Sequence, residues 1–175
     1  MKKQEKTYRL ALCAMLAALG VVLLCLGSVI EVIDISMAVI ASFFAIYAVI
    51  EFGGVWPWLI YAVTGLLSLI LMPSASAAYF YLLFFGFYPI LKEKLERLPR
   101  VLSWVLKEAV FHASLLLTFL CLRFVLALPE LTGIGSILLF GMLLACEVVF
   151  VLYDVALTRL ISFYLIKLRY RLRRK

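Results

Sequence analysis

Long uncharged apolar runs, broken at intervals by Gly, Pro and charged residues, dominate the chain. Six can be drawn, at about 9–28, 35–52, 57–72, 77–95, 102–128 and 134–164. A helix needs about 20 apolar residues to cross a hydrocarbon layer, and only the third run falls clearly short. None alternates with the period of a barrel strand, and a backbone in lipid must satisfy its own hydrogen bonds. The pattern predicts an all-α polytopic membrane protein with six transmembrane helices, a single integral membrane domain over 1–175. The breaks have local causes. Glu31 and Asp34 interrupt the first pair, Gly53-Gly54 and Pro57 make the second turn, and Pro73-Ser74-Ala75-Ser76 makes the third. Lys92–Arg100 forms the fourth loop, with Pro99 marking the entry to span five, and Pro129–Gly135 closes the last hairpin. Pro89 lies inside span four, three residues after Gly86. It removes one helix bond and crowds the carbonyl of Phe85, so a kink is expected there.

Composition narrows the class further. The chain is 67% apolar and 15% charged, against about 45–50% and about 25% in ordinary globular domains. A soluble fold of this size has no means of hiding so much apolar surface. Soluble enzymes, disordered chains and disulfide scaffolds are excluded. The four cysteines, Cys13, Cys25, Cys121 and Cys146, lie in apolar runs without a CxxC pair and read as small packing residues. The N-terminal run resembles a secretory signal but exceeds the usual apolar length and lacks an A-x-A site, so it reads as a retained first span.

The formal charge of +7 is distributed as a topology signal. The segment before span one carries a net +3, the fourth loop +2 and the tail beyond 164 a net +6, whereas the intervening loops carry −3. With six spans the basic segments share one side. The positive-inside rule then predicts a multi-pass protein of the cell membrane with both termini cytoplasmic. Span six, about 30 residues at 1.5 Å each, outruns the bilayer. Its basic tail, 165–175, is expected against anionic lipid. No nucleic-acid reader motif accompanies it, so no nucleic acid partner is expected.

Ionisable groups within spans are costly and therefore candidates for function. Glu51, Lys107, Glu108, Arg123, Glu147, Asp154, Arg159 and the single histidine, His112, qualify, and nearly all fall on spans five and six. Glu108 and His112 are four apart, Arg123 follows His112 by about three turns, and Glu147 and Asp154 are two turns apart, so each set shares a helix face. In one reading these groups pair, Lys107 with Asp154 and His112 with Glu147, as structural ion pairs welding the two helices, with Glu108 among them. In the other they line a substrate cavity, with Arg123 at the outer mouth attracting an anionic small molecule and His112 and Glu147 at the floor. Tyr79 and Tyr81, beside the Pro73–Ala77 loop, are candidates for its outer lining. Glu108, His112 and Glu147 make only a weak metal set. No HExxH, GxSxG or nucleotide-binding loop occurs, so no catalytic residues, metal or cofactors are expected.

Ala11, Ala14 and Ala18 mark a small-residue face on span one, of the kind that lets helices approach closely in lipid. An intramolecular contact and a partner interface both fit it. Together with the six-span layout and the stretch RLALCAMLAALGVVL, this Ala14-x-x-x-Ala18 motif resembles the substrate-binding S component of energy-coupling factor (ECF) vitamin transporters. The resemblance implies a capture subunit of an importer for a small, vitamin-like molecule. It implies a transmembrane T subunit touching Ala14 and Ala18, two ATPase subunits as partners, and a substrate site around Arg123. The ligand signatures of the thiamine, riboflavin, biotin and folate members are missing, as is the His-rich N-terminus of the metal-ion members. The run FFGFYPILK at Phe84–Lys92 belongs to none of these. The competing expectation is a non-catalytic membrane scaffold of the bacterial cell envelope.

Overall fold

The computed structural model describes the backbone of residues 2–73, 76–125 and 136–168, and the side chains of 4–30, 32–73, 76–121 and 140–166. Every described element is helical. In order they are α1 (Lys2–Val29), a 3₁₀ turn (Glu31–Ile33), α2 (Asp34–Glu51), α3 (Trp56–Leu71), α4 (Ser76–Phe80), a π turn (Tyr81–Phe85), α5 (Tyr88–Leu95), α6 (Arg100–Val125), α7 (Ser136–Phe163) and a terminal π segment (Tyr164–Leu168). The chain divides into two compact units, Met1–Leu128 and Pro129–Lys175.

Four helices are long and apolar enough to cross a membrane: Gln4–Val29, Asp34–Glu51, Arg100–Cys121 and Phe140–Ile166. No more than 33% of the apolar window of any of them is buried, so most of their Leu, Val and Ile surface faces outward. Water does not tolerate so large an exposed apolar area on a folded protein; lipid does. α3, at 16 residues, rises only about 24 Å and is the shortest of the apolar helices predicted as spans.

The interior of the first unit is built from small side chains. α2 buries Ala38, Ala41, Ser42, Ala45 and Ala48, a stripe at helical spacing that faces α1 and α3. α1 answers with Cys13, Ala17, Gly20 and Leu24, and α3 with Ile60, Thr64, Gly65 and Ser68. A methyl group at Gly20 would lie 2.7 Å from Thr64 Cγ2, so these two backbones approach closely because one of them carries no side chain. Hydroxyls in this interior turn back on main-chain carbonyls. Ser42 Oγ donates to Val39 O at 2.6 Å, and Thr64 Oγ1 reaches Ala17 O at 3.4 Å.

The breaks follow the punctuation of the chain. Asp34 opens α2 and its Oδ1 accepts the Ile35 N–H at 2.6 Å, a carboxylate at the end of the helix where amide groups lack partners. Gly53 and Gly54 both sit at φ +61°, a left-handed conformation that suits glycine. This pair turns α2 directly into α3, where Pro57 occupies the first turn.

The fourth run departs from the sequence expectation. It stays helical from Ser76 to Leu95, with Phe80, Gly86 and Phe87 in right-handed helical conformation, but the disturbance is a π turn N-terminal to Pro89. α4 ends at Phe80, the Gly86 N–H donates to Tyr81 O at 2.7 Å in an i→i+5 turn, and α5 starts afresh at Tyr88 with Pro89 in its first turn. Proline is tolerated there because first-turn amides need no helical partner. The break therefore falls one turn earlier than Pro89. α1 also begins at Lys2 rather than near residue 9, because Lys, Gln and Glu extend a helix readily. Residues 126–128, the Pro129–Gly135 hairpin and the tail from Arg169 lie outside the described residues.

Gly86 is held by packing. A methyl group there would lie 2.6 Å from Tyr61 and 2.8 Å from Tyr81, both at ring carbons. At Gly65 it would meet mainly the tip of Leu82, which can rotate. Gly86→Ala is expected to destabilise the protein in detergent by about 1–3 kcal/mol, and Gly65→Ala by less. Thermal unfolding of the two variants checks the order.

Candidate functional site

The π turn, α3 and α6 of the first unit enclose a groove of about 370 Å³, lined among others by Tyr61, Leu82, Phe87, Val110, Ser114 and Leu117. Its position follows from the break in the fourth run, which brings Leu82 and Phe87 to one wall. Tyr61 stacks edge-on with Phe87 at 6.4 Å between ring centroids and lies tilted against Tyr81 at 6.1 Å. The Tyr61 hydroxyl donates to Leu82 O at 2.8 Å, and Ser114 Oγ donates to Val110 O at 2.8 Å. Both oxygens keep acceptor lone pairs. The groove therefore suits an apolar ring or chain that carries a hydrogen-bond donor.

Tyr79 and Tyr81 are buried and neither is among the groove-lining residues. The Tyr79 hydroxyl donates to Pro73 O at 3.0 Å and so pins the loop that precedes α4. Beside it the Ser76 hydroxyl donates to Asp34 Oδ2, which ties the start of α4 to the start of α2. Tyr81 is fully buried, and its hydroxyl approaches Thr64 without making a hydrogen bond among the described residues. Ser68 Oγ is in the same condition.

On α6, His112 is exposed and Glu108 half-buried. His112 Nδ1 lies 2.9 Å from Glu108 O. With the proton on Nδ1 that nitrogen donates to the carbonyl, and Nε2 is left as an acceptor. Arg123 stands three turns further along the same helix, with its side chain outside the described residues. Glu147 and Asp154 stand on α7 in the second unit, two turns apart.

A charged cluster that sequence reasoning assigned to a loop lies at the junction of α5 and α6. Lys92, 0% exposed, places Nζ 2.7 Å from Glu96 Oε1. Lys107 Nζ is 3.6 Å from the same oxygen and stands 5.2 Å above the Trp104 ring. Glu96 thus sits between two ammonium groups, and Lys107 meets a partner the sequence reading did not give it. The spacing Lys92-x-x-x-Glu96 was the available signal, masked because charged residues next to a span read as its end.

The small-residue face of α1 is also placed. Ala11, Ala14 and Ala18 are exposed, while Cys13, Ala17 and Gly20 on the other side of the helix are buried against the bundle. No protein-family model, curated protein or solved structure matches the chain.

The two tyrosine hydroxyls separate by experiment. Tyr61→Phe removes the donor to Leu82 O and is expected to cost about 1 kcal/mol. Tyr81→Phe removes a hydroxyl that makes no hydrogen bond among the described residues and is expected to leave stability unchanged or raise it. Chemical or thermal unfolding of both variants in one detergent decides this.

Proposed function

We propose that this protein is the substrate-capture membrane subunit of an ECF-type importer, with α1 as its docking helix. The observation that carries the reading is the exposure of Ala11, Ala14 and Ala18. The bundle uses other small residues of α1, so this face stays open to a second helix. Close backbone approach is the main source of helix association in lipid, and three alanines at i, i+3 and i+7 permit it. The partner is a transmembrane T subunit, coupled to two ATPases that supply the energy this chain lacks a nucleotide loop to obtain. The cargo is a small, vitamin-like molecule. Six spans with both termini cytoplasmic complete the reading, supported by the basic charge of alternate loops.

Two features of the chain bear on the cargo. The groove beside Tyr61 favours an apolar body with a donor group, and Arg123 and His112 favour an anionic end. Ala14→Leu and Ala18→Leu are expected to leave thermal stability intact while abolishing co-purification of T subunit and ATPases. Arg123→Ala with His112→Ala is expected to lower ligand recovery by about tenfold without loss of partners, as read by mass spectrometry of the purified complex. A well-folded sample that carries neither partners nor ligand, but co-purifies with cell-envelope proteins, establishes the scaffold instead.

A further inference from the structure

The first turns of α1 carry a second site, separate from the groove. Glu5, Lys6, Arg9 and Trp56 line a concavity of about 200 Å³. Glu5 and Arg9 are four apart and Lys6 and Arg9 three apart, so the three charges share one helix face. Among the described residues none of the three takes part in an ion pair. The Arg9 guanidinium rests 5.7 Å from the Phe52 ring centroid, which holds it beside the Gly53-Gly54 turn. That turn returns the chain so that Trp56, the first residue of α3, forms the aromatic wall.

The charges are ordered relative to the bilayer. Apolar sequence starts at Leu10, immediately after Arg9. Arg9 is therefore nearest the hydrocarbon, and Glu5 lies about 6 Å further out along the helix. Moving outward, the wall presents Arg9 first, then Lys6 and Glu5 side by side about 1.5 Å apart along the axis, with an indole face alongside. A phosphoethanolamine headgroup offers a partner to each sign, a phosphate at the hydrocarbon boundary and an ammonium beyond it. Arg and Lys suit the phosphate through charge-assisted hydrogen bonds. A carboxylate and a Trp face suit a primary ammonium, the latter by cation–π attraction. Basic pockets between transmembrane helices bind anionic headgroups, and the carboxylate here adds a partner for the ammonium of a zwitterion.

We infer that this pocket binds the headgroup of phosphatidylethanolamine, with Lys6 and Arg9 on the phosphate and Glu5 and Trp56 on the ammonium. The inference needs only that α1 enters a bilayer and holds whether or not the protein takes part in import. The test is native mass spectrometry of the purified full chain offered equal amounts of phosphatidylethanolamine, phosphatidylglycerol and phosphatidylcholine with identical acyl chains. Retention of phosphatidylethanolamine over each of the others by about tenfold is expected. Glu5→Gln is expected to erase the preference over phosphatidylglycerol, and Lys6→Gln with Arg9→Gln to lower retention of all three. Glu5 and Lys6 are exposed and Arg9 half-buried, and unchanged thermal unfolding of each variant confirms that the fold is not the cause. Soluble phosphoethanolamine at the same concentration is expected not to displace the lipid. Equal retention of the three lipids, a preference for phosphatidylglycerol, or an unaltered preference in Glu5→Gln overturns the assignment. Displacement by soluble phosphoethanolamine overturns the lipid as its source.

Discussion

Close approach between helix backbones is the constraint on which the first unit rests. In lipid the hydrophobic effect gives little preference for one helix neighbour over another, because the surrounding acyl chains are as apolar as leucine. Dispersion contacts at short range must supply the preference. α2 meets that demand with a stripe of four alanines and a serine, and Gly20 and Gly65 let neighbouring side chains settle against bare backbone. The bulky aliphatic residues are released to the outside, where they are the solvent-facing groups of a membrane protein.

The same constraint explains the irregular fourth run. The π turn widens the helix at Tyr81–Phe85 and leaves one residue more per turn than an α-helix holds. Tyr61 reaches across from α3 to donate to Leu82 O, and the Gly86 N–H closes on Tyr81 O. Both links satisfy main-chain oxygens where the regular ladder is disturbed, which lipid would otherwise leave unmet. Gly86 is glycine because two tyrosine rings occupy the space of its side chain. The groove exists because this turn displaces Leu82 and Phe87 toward α6.

Much of the helical layout was legible in the sequence. Run length and Gly/Pro punctuation located α2 and α3 to within a residue, since apolar runs and turn formers are local signals. The alanine face at Ala11, Ala14 and Ala18 was legible too, but its surroundings were not, because small residues pack inward and outward alike. The stripe at Ala38, Ala41, Ala45 and Ala48 has the same spacing and turned inward instead. The π turn was hidden because hydropathy carries no signal for an i→i+5 bond, and the hydroxyl that meets Leu82 O comes from another helix. Pro89 announced a disturbance but marked where the next helix starts. Lys92 was misread because hydropathy counts a charge as solvated, and this one is covered by protein and held by Glu96. Of the proposed site, His112 and Glu108 show as one face of α6, as their spacing required.

α3 carries a mechanical implication for the surrounding membrane. Its roughly 24 Å falls short of a hydrocarbon layer of about 30 Å, and Leu59, Val63, Leu66 and Ile70 are exposed along it. The Gly53-Gly54 turn joins it tightly to α2 and leaves no slack for it to slide. A bilayer crossed by this helix would have to compress against it, at a cost of fractions of a kcal/mol for each ångström of mismatch. Any preference for thinner membrane on this side would be set by the length of α3 and owe nothing to charge.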